Sequence, residues 1–497
     1  MVTNKNQHGS AKLRRFGMQS EIMTFNKWIQ WLAPVLFYLF IYFSGIALSI
    51  HALIRVRTSQ GAIAWILSLL LIPYLAIPAY LIFGWRRLRG YKRALRRSRK
   101  DVQELLAPKK LQNIVGESQT AFSLTQLRLA QLPPTRDNET EIFFEGNASF
   151  EAKLESMRQA KDYILLQAYI IRNDESGEAL FRLLAERARA GIRVYVLIDD
   201  IGSYWLKRSR LKELRAAGVN IQSFRSSRFR SNRFRINFRN HRKMLIIDGR
   251  TVILGGSNIG NEYRSLCQRV GFWRDTDVQI RGPAVQCCQI AFVEDWLWVA
   301  DQVPTLNWIP EFRDGNEEIL IAATGPADDW EACGLLFTDL INGAAERLWI
   351  ATPYFVPDTA VMTALKLAVL RGVDVRILTP EKGDHQLVTY AGHNYMAQLA
   401  EIGVRTYAYQ RGFMHQKVTL IDKKFVAIGS ANMDNRSFRL NFELTCLSSS
   451  RPTIDQIETQ LIQDFADSRE LDRAHWRSQS VATRVLWGVA RLFAPVL

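Results

Sequence analysis

Acidic residues are almost missing from the first hundred positions, where Glu21 stands alone against 16 Lys and Arg. Cysteine is scarce as well. Cys267, Cys287, Cys288, Cys333 and Cys446 are odd in number and show no C-x-x-C spacing, so neither a disulfide framework nor a zinc site is indicated. A reducing compartment suits such a body. With 15 Pro and 29 Gly in 497 residues, and 48% hydrophobic content, collagen-like and disordered architectures are excluded. The formal charge of +17 is unevenly placed. Residues 1–100 carry +15, and the other 397 residues carry 49 bases against 47 acids. A near-neutral body speaks against a nucleic-acid partner.

No charged residue lies between Lys27 and Arg55, or between Thr58 and Trp85. Each run is longer than the ~20 residues that cross hydrocarbon, which predicts a transmembrane hairpin with spans over about 31–54 and 61–85. Pro73 and Pro78 fall in the second, where membrane helices tolerate proline. Five bases precede the first span and nine lie within Arg86–Lys100, so the positive-inside rule puts both termini and the body in the cytoplasm. A cleaved signal peptide does not fit, because the apolar run starts late and is too long. The expected order is a basic tail (1–27), the hairpin with its basic flank (28–100) and a polar linker (101–135).

Beyond the linker the chain repeats itself. Strand-like YILLQAYII, helix-like SGEALFRLLAERARAG and strand-like IRVYVLIDD are matched later by LWIATPYFV, DTAVMTALKLAVLRG and VDVRILTP. Two α/β lobes follow, over 136–300 and 319–479, joined by 301–318.

Each lobe carries one chemical motif. His241-Arg-Lys243-x₄-Asp248 is followed by Gly255 and Asn258, and His415-Gln-Lys417-x₄-Asp422 by Gly429 and Asn432, at identical offsets. On a strand, residues i and i+2 share a face, so imidazole and ammonium point together. The Asp falls at a turn and the returning strand brings the Asn back. Such a site offers an imidazole, an ammonium and an amide around one anion. One such motif arises by chance in roughly one chain of this length in thirty; two matched copies are not an accident of this kind. A metal site is disfavoured because a cation sits beside each His.

These duplicated motifs resemble the phospholipase D superfamily, and within it the bacterial cardiolipin synthases with two membrane spans. The likeness extends through GIRVYVLIDDIGS, NFRNHRKMLIIDGRTVILGGSNIGNEY, FWRDTD, ATPYFVPD and FMHQKVTLIDKKFVAIGSANMDNRSFRLNFE. The resemblance implies two phospholipase D-like lobes forming one pseudo-two-fold catalytic body behind the hairpin. It also implies a catalytic set of His241, Lys243, Asp248, His415, Lys417 and Asp422, with Asn258, Asn432, Ser430, Glu443 and Asp275 binding phosphate or orienting the histidines. No cofactor is implied. The expected partners are phosphatidylglycerol, cardiolipin and an anionic membrane surface, and the site requires no second chain. One imidazole would attack phosphorus while the other protonates departing glycerol; His241 is taken as nucleophile, although the sequence symmetry leaves that order open. Three departures stand out: Asp277 where the family pattern leads to His, Gln167 where it leads to Glu, and an Arg-rich tract over 223–240.

In that tract Arg225, Arg228, Arg230, Arg233, Arg235 and Arg239 interleave with phenylalanines and run into His241. Guanidinium groups there suit lipid phosphates, and a solvated loop is the plain alternative. The tail, 480–497, reads either as an interfacial amphipathic helix or as a helix packed on its own lobe. His8, His51, His385, His393 and His475 receive no role. The motifs alone leave the acceptor open, so a phosphatidyltransferase or hydrolase with another acceptor remains, as does a non-catalytic anionic-lipid scaffold.

Overall fold

The computed structural model describes residues 7–56, 58–84, 120–224, 237–300 and 302–497, and the chain divides into an N-terminal helical unit and an α/β body. In the first unit α1 (Gln7–Arg55) is one helix, which takes in most of the stretch expected as a separate tail. Its segment Trp31–Arg55 is, among the described residues, the one helix long and apolar enough to cross a membrane. The second apolar run differs from its expectation as one span over 61–85. It is broken into α2 (Ser59–Leu71) and α3 (Pro73–Phe83). Pro73 has no N–H to continue a helix and its ring clashes with the preceding turn, so Ile72 leaves helical geometry at φ −133°, ψ 55°. Neither piece alone has the ~20 residues of a straight span. A Cβ on Gly45 would lie 2.6 Å from the Leu69 carbonyl oxygen, so only glycine lets α1 and α2 approach this closely. Ala52, Leu69, Ala76 and Tyr80 form a small shared core.

The body begins with α4 (Leu124–Ala130). This segment was expected to be linker, and the structure corrects that: Leu129 and Ala130 enter the core of lobe 2, and Gln126 Nε2 donates to Asp339 at 3.0 Å. Ser123 supplies a capping box with Gln126 that starts the helix. Lobe 1 continues as β1 (Thr135–Glu145), α5 (Gly146–Gln159), β2 (Tyr163–Ala168), α6 (Glu175–Arg189), β3 (Arg193–Asp199), α7 (Arg208–Ala216), β4 (Asn220–Phe224), β5 (Arg239–Asn240), β6 (Met244–Ile247), β7 (Thr251–Gly255), β8 (Phe272–Arg281) and α8 (Ala284–Val299). Lobe 2 follows as β9 (Glu317–Thr324), α9 (Ala332–Asn342), β10 (Arg347–Ala351), β11 (Phe355–Val356), α10 (Thr359–Leu370), β12 (Asp374–Pro380), α11 (Gln386–Ala400), β13 (Arg405–Tyr409), β14 (Gly412–Met414), β15 (Val418–Ile421), β16 (Phe425–Gly429), β17 (Met433–Asp434), α12 (Asn435–Arg439), β18 (Asn441–Ser448), α13 (Arg451–Ala466), β19 (Ser468–Leu471), α14 (Arg473–Arg477) and α15 (Val481–Arg491).

The two sheets have the same order. Lobe 1 runs β4-β3-β2-β6-β7-β8-β1, and lobe 2 runs β13-β12-β10-β15-β16-β18-β9 with β19 added at its edge. β1 pairs with β9, so the sheets are continuous. Side chains alternate across each strand. On β2, Tyr163 and Leu165 face a middle layer while Ile164 and Leu166 face the outer helices α5 and α6. The middle layer holds α8 and α13, packed against both sheets in one core. α8 (AVQCCQIAFVEDWLWV) is apolar on nearly every side because it is covered on nearly every side.

Candidate active site

Each histidine enters from a short strand that pairs with the other lobe. β5 runs parallel to β18 and the His241 amide donates to the Phe442 carbonyl at 2.9 Å. β14 runs parallel to β8 and the His415 amide donates to the Arg274 carbonyl at 2.7 Å. The exchange extends to the side chains. His241 Nδ1 lies 3.0 and 3.1 Å from the Glu443 carboxylate oxygens on β18. His415 Nδ1 lies 2.8 Å from Asp275 Oδ2 on β8. Each carboxylate engages Nδ1, so Nε2 is the nitrogen left for chemistry, as a nucleophile on a neutral ring or as a proton donor on a protonated one.

Burial sets the ionisation. It pushes His241 down to about 4, with Lys243 and Lys417 adding to the effect and Glu443 opposing it. His415 is lowered for the same leading reason, with Lys417 next. Lys243 falls to about 7 and Lys417 to about 8, again chiefly through desolvation. For Glu443 burial alone would raise the pKa, but His241, Lys243 and the Ser430 hydroxyl outweigh it and hold the carboxyl below its usual value. Lys417 lowers His241 and Lys243 lowers His415, so the two motifs share one electrostatic environment.

Lys243 Nζ donates to the His241 carbonyl at 2.7 Å, and Lys417 Nζ sits 2.9 Å from His415 Nδ1 and 3.1 Å from Nε2. Ser430 Oγ donates to Glu443 Oε2 at 2.5 Å and Asn441 Nδ2 to Oε1 at 3.0 Å. Asp275 receives the Thr276 amide at 2.9 Å. Gly256 occupies the position equivalent to Ser430, and a Cβ there would lie 2.1 Å from Asp275 Oδ1; the shorter Asp leaves no room for a serine. Asn258 and Asn432 are both buried beside the motifs. Asn258 Oδ1 accepts from the Ile170 amide at 3.3 Å, while Asn432 Oδ1 has no hydrogen-bond partner among the described residues.

Two members of the expected catalytic set do not join the site. Asp248 accepts the amides of Lys161, Asp162 and Tyr163 at 2.8 Å each, and Asp422 those of Ala345, Glu346 and Arg347 at 2.8–3.0 Å. Both stand at the far turn of the β6–β7 and β15–β16 hairpins, at φ 54°. They tie these turns to the start of β2 and β10. Of the arginine tract, Arg225, Arg228, Arg230, Arg233 and Arg235 lie outside the described residues. Arg239 is described, with Nη1 donating to the Phe238 carbonyl at 2.9 Å.

Several groups escaped the motif reading. Tyr169 sits edge-on to His241 with ring centroids 4.8 Å apart, and Lys243 Nζ lies 5.3 Å from its ring centre. Trp273 packs 5.1 Å from the His415 ring. The residue next to each histidine is buried in an ion network: Arg242 Nη1 donates to Asp295 Oδ2 at 2.9 Å, and Gln416 Nε2 to Asp464 Oδ2 at 2.8 Å beside Arg274. Buried polar contacts of this kind also account for two of the three departures noted in the sequence. Gln167 Nε2 donates to Asp295 at 2.7 Å; a Glu there would set a second carboxylate against the first. Asp277 is buried and accepts from Lys153 Nζ at 2.7 Å and from Ser149, and these partners hold its carboxyl below the usual value despite burial. A lysine on the apolar stripe Phe150, Leu154 and Met157 was the signal for that pair.

The chain is similar to known proteins in sequence and in fold. A family model described as "Cardiolipin synthase, PLD-like domain" matches residues 154–273 and 337–465. Cardiolipin synthase A of Pseudomonas putida (strain W619) is 43% identical over 465 residues, covering 91% of this chain and 96% of that protein. Cardiolipin synthase A of Pseudomonas fluorescens (strain SBW25) is 40% identical, covering 92% and 97%. The crystal structure of phosphatidylserine synthase from Haemophilus influenzae superposes with a TM-score of 0.58 at 15% identity, over 75% of this chain and 99% of that one, and shows the shared fold.

Proposed function

Since the chain belongs to the cardiolipin synthase family of phospholipase D-like phosphatidyltransferases, we propose that it transfers a phosphatidyl group from one phosphatidylglycerol to another, releasing glycerol, at a membrane whose cytoplasmic side holds the body and both termini. The observation that carries the mechanism is the pair of buried imidazoles, each held at Nδ1 by a carboxylate from the opposite lobe. His241 Nε2 attacks phosphorus of the donor lipid. The bond to the glycerol oxygen breaks as protonated His415 delivers its proton there, which leaves a phosphatidyl-histidine. Neutral His415 then removes the proton from a hydroxyl of the second phosphatidylglycerol, whose oxygen displaces His241 and forms cardiolipin. One phosphodiester is exchanged for another, so no nucleotide enters. Lys243 and Lys417, with the amides of Asn258 and Asn432, stabilise charge on the phosphoryl oxygens where little water competes.

Two lysines so placed support metal-free chemistry, and EDTA is expected to leave turnover unchanged. The deciding experiment gives purified protein phosphatidylglycerol, alone and with phosphatidylethanolamine, and identifies products by mass spectrometry. Cardiolipin and glycerol in equal amounts from phosphatidylglycerol alone are expected. Phosphatidic acid as the main product would overturn the assigned acceptor, and a requirement for phosphatidylethanolamine, with ethanolamine released, would overturn the assigned donor.

A further inference from the structure

The last helix carries two apolar faces. Ser480 Oγ caps α15 by accepting the Thr483 amide at 3.1 Å, and the helical backbone continues through Leu492 and Phe493. Trp487 and Ala490 point inward, where Trp487 packs edge-on against His393 and Trp476 of lobe 2. That inner face already docks the helix. At 100° per residue, Val481, Val485, Leu486, Val489, Leu492 and Phe493 fall on a separate arc of about 140°. All six are exposed, Leu492 at 74%. Arg484 and Arg491 line one border of this arc, and no acid occurs from 481 to 497.

Lobe 1 offers a matching feature. The loop after β3 exposes Tyr204 and Trp205 at 72% each, together with Ile201. This loop rests on the active site, since Ser203 Oγ donates to the carbonyl of Tyr169, the residue that packs on His241. The chain end rests on the same region, since the Arg436 amide donates to the Leu497 carbonyl at 3.0 Å, and Arg436 lies close enough to Tyr169 for each to affect the other's ionisation.

We infer that the outer face of α15 and the Ile201–Trp205 loop form the surface by which the body rests on an anionic lipid leaflet, so that lipids reach the histidines without leaving the membrane. The inference builds on the proposed lipid substrate. A leaflet suits both patches: the apolar arc enters the acyl boundary, the two arginines meet phosphates, and Tyr and Trp favour the polar–apolar interface. A symmetric pair of copies joined through α15 would instead set arginine against arginine.

The test uses the full chain in phosphatidylglycerol proteoliposomes, in a Cys267→Ser background, with an environment-sensitive fluorophore on Leu486→Cys or Trp205→Cys. Leu370→Cys on α10, 81% exposed, is the control. Blue-shifted emission quenched by nitroxide-labelled lipids is expected at 486 and 205 but not at 370. Water-like emission at 486 and 205 would overturn the inference, as would a blue shift that lipid nitroxides do not quench, since a second copy or another segment of this chain would then cover the face. In a second arm, Val485, Leu486, Val489 and Leu492 are all changed to Ser. Turnover of bilayer phosphatidylglycerol should fall at least about tenfold, given the apolar area lost, while turnover of monomeric short-chain phosphatidylglycerol stays within about twofold. Equal losses on both substrates would count against docking. Lipid quenching without any phosphatidylglycerol turnover would overturn the reaction assigned above and uphold the docking surface.

Discussion

His241 owes its neutrality to burial, and both histidines owe their orientation to a carboxylate reached across the lobe boundary. His241→Ala and His415→Ala should each reduce cardiolipin formation by more than about a thousandfold, the scale of losing a nucleophile or its acid/base partner, with the protein still in the membrane fraction. His415→Ala should accumulate acid-labile phosphatidyl-enzyme from a donor with a good leaving group, and labelled His415 in His241→Ala would reverse the order of roles. The pH response follows from the same residues. Unfolded His241 titrates near 6.5 and folded His241 near 4, so between these values the unfolded chain holds a proton that the native chain lacks. Stability is therefore full above 6.5 and falls as pH drops toward 4, by on the order of 3 kcal/mol for this residue. Chemical denaturation at pH 7.5 and 5 measures it. In the free enzyme Lys243 loses its charge near pH 7 and Lys417 near pH 8, so kcat/KM should decline on the alkaline side through this range. Lys243→Arg, which keeps its charge, should move that limb to higher pH if it retains activity.

At the scale of elements, the repeated spacing from His to Asp describes a hairpin whose two ends differ. The His-Lys end carries the proposed chemistry, and the Asp end ties the turn to the neighbouring strand. Asp248→Ala leaves three amides without their acceptor and should cost about 2–3 kcal/mol, read as a lower melting temperature, while kcat of the folded fraction changes little. A loss of kcat with unchanged melting temperature would return Asp248 to the catalytic set. Helix α5 carries a second device of this kind. Lys153→Met strands the buried Asp277 carboxylate and should destabilise by about 3–5 kcal/mol, and Lys153→Met/Asp277→Asn should recover part of that loss. The break at Ile72 belongs here as well: apolar composition marks the run over 59–83, but Pro73 divides it.

For the whole molecule, the lobes are bound by exchange. β5 and β14 each pair with the other lobe, the orienting carboxylates cross in the same way, and α8 and α13 lie in a core shared by both sheets. Either lobe alone would expose a helix built for burial on all sides, at about 1.5–3 kcal/mol for each large apolar side chain. Residues 120–309 and 310–497 expressed separately should show molten or aggregated behaviour by near-ultraviolet dichroism and fast amide exchange. Coexpression of the two should restore protected amides and activity together; a separately folded, protected lobe would contradict this coupling.

The sequence by itself determined the lobes, the repeated motifs and the residue types at the chemical centre, because strand alternation and identical offsets are properties of local order. It also marked Gln167 and Asp277 as unusual without supplying their partners. Tertiary structure decided which carboxylate serves which imidazole, that Asp248 and Asp422 accept backbone amides at the hairpin turns, and that 124–130 is core instead of linker. It also decided that α15 packs inward through Trp487 and Ala490 while its other apolar side chains stay exposed, the face on which the inferred leaflet contact rests. The reason is physical: periodicity records which face of an element is apolar, whereas hydrogen-bond partners and desolvation depend on segments brought together from distant parts of the chain, as Glu443 is brought to His241 across 202 positions.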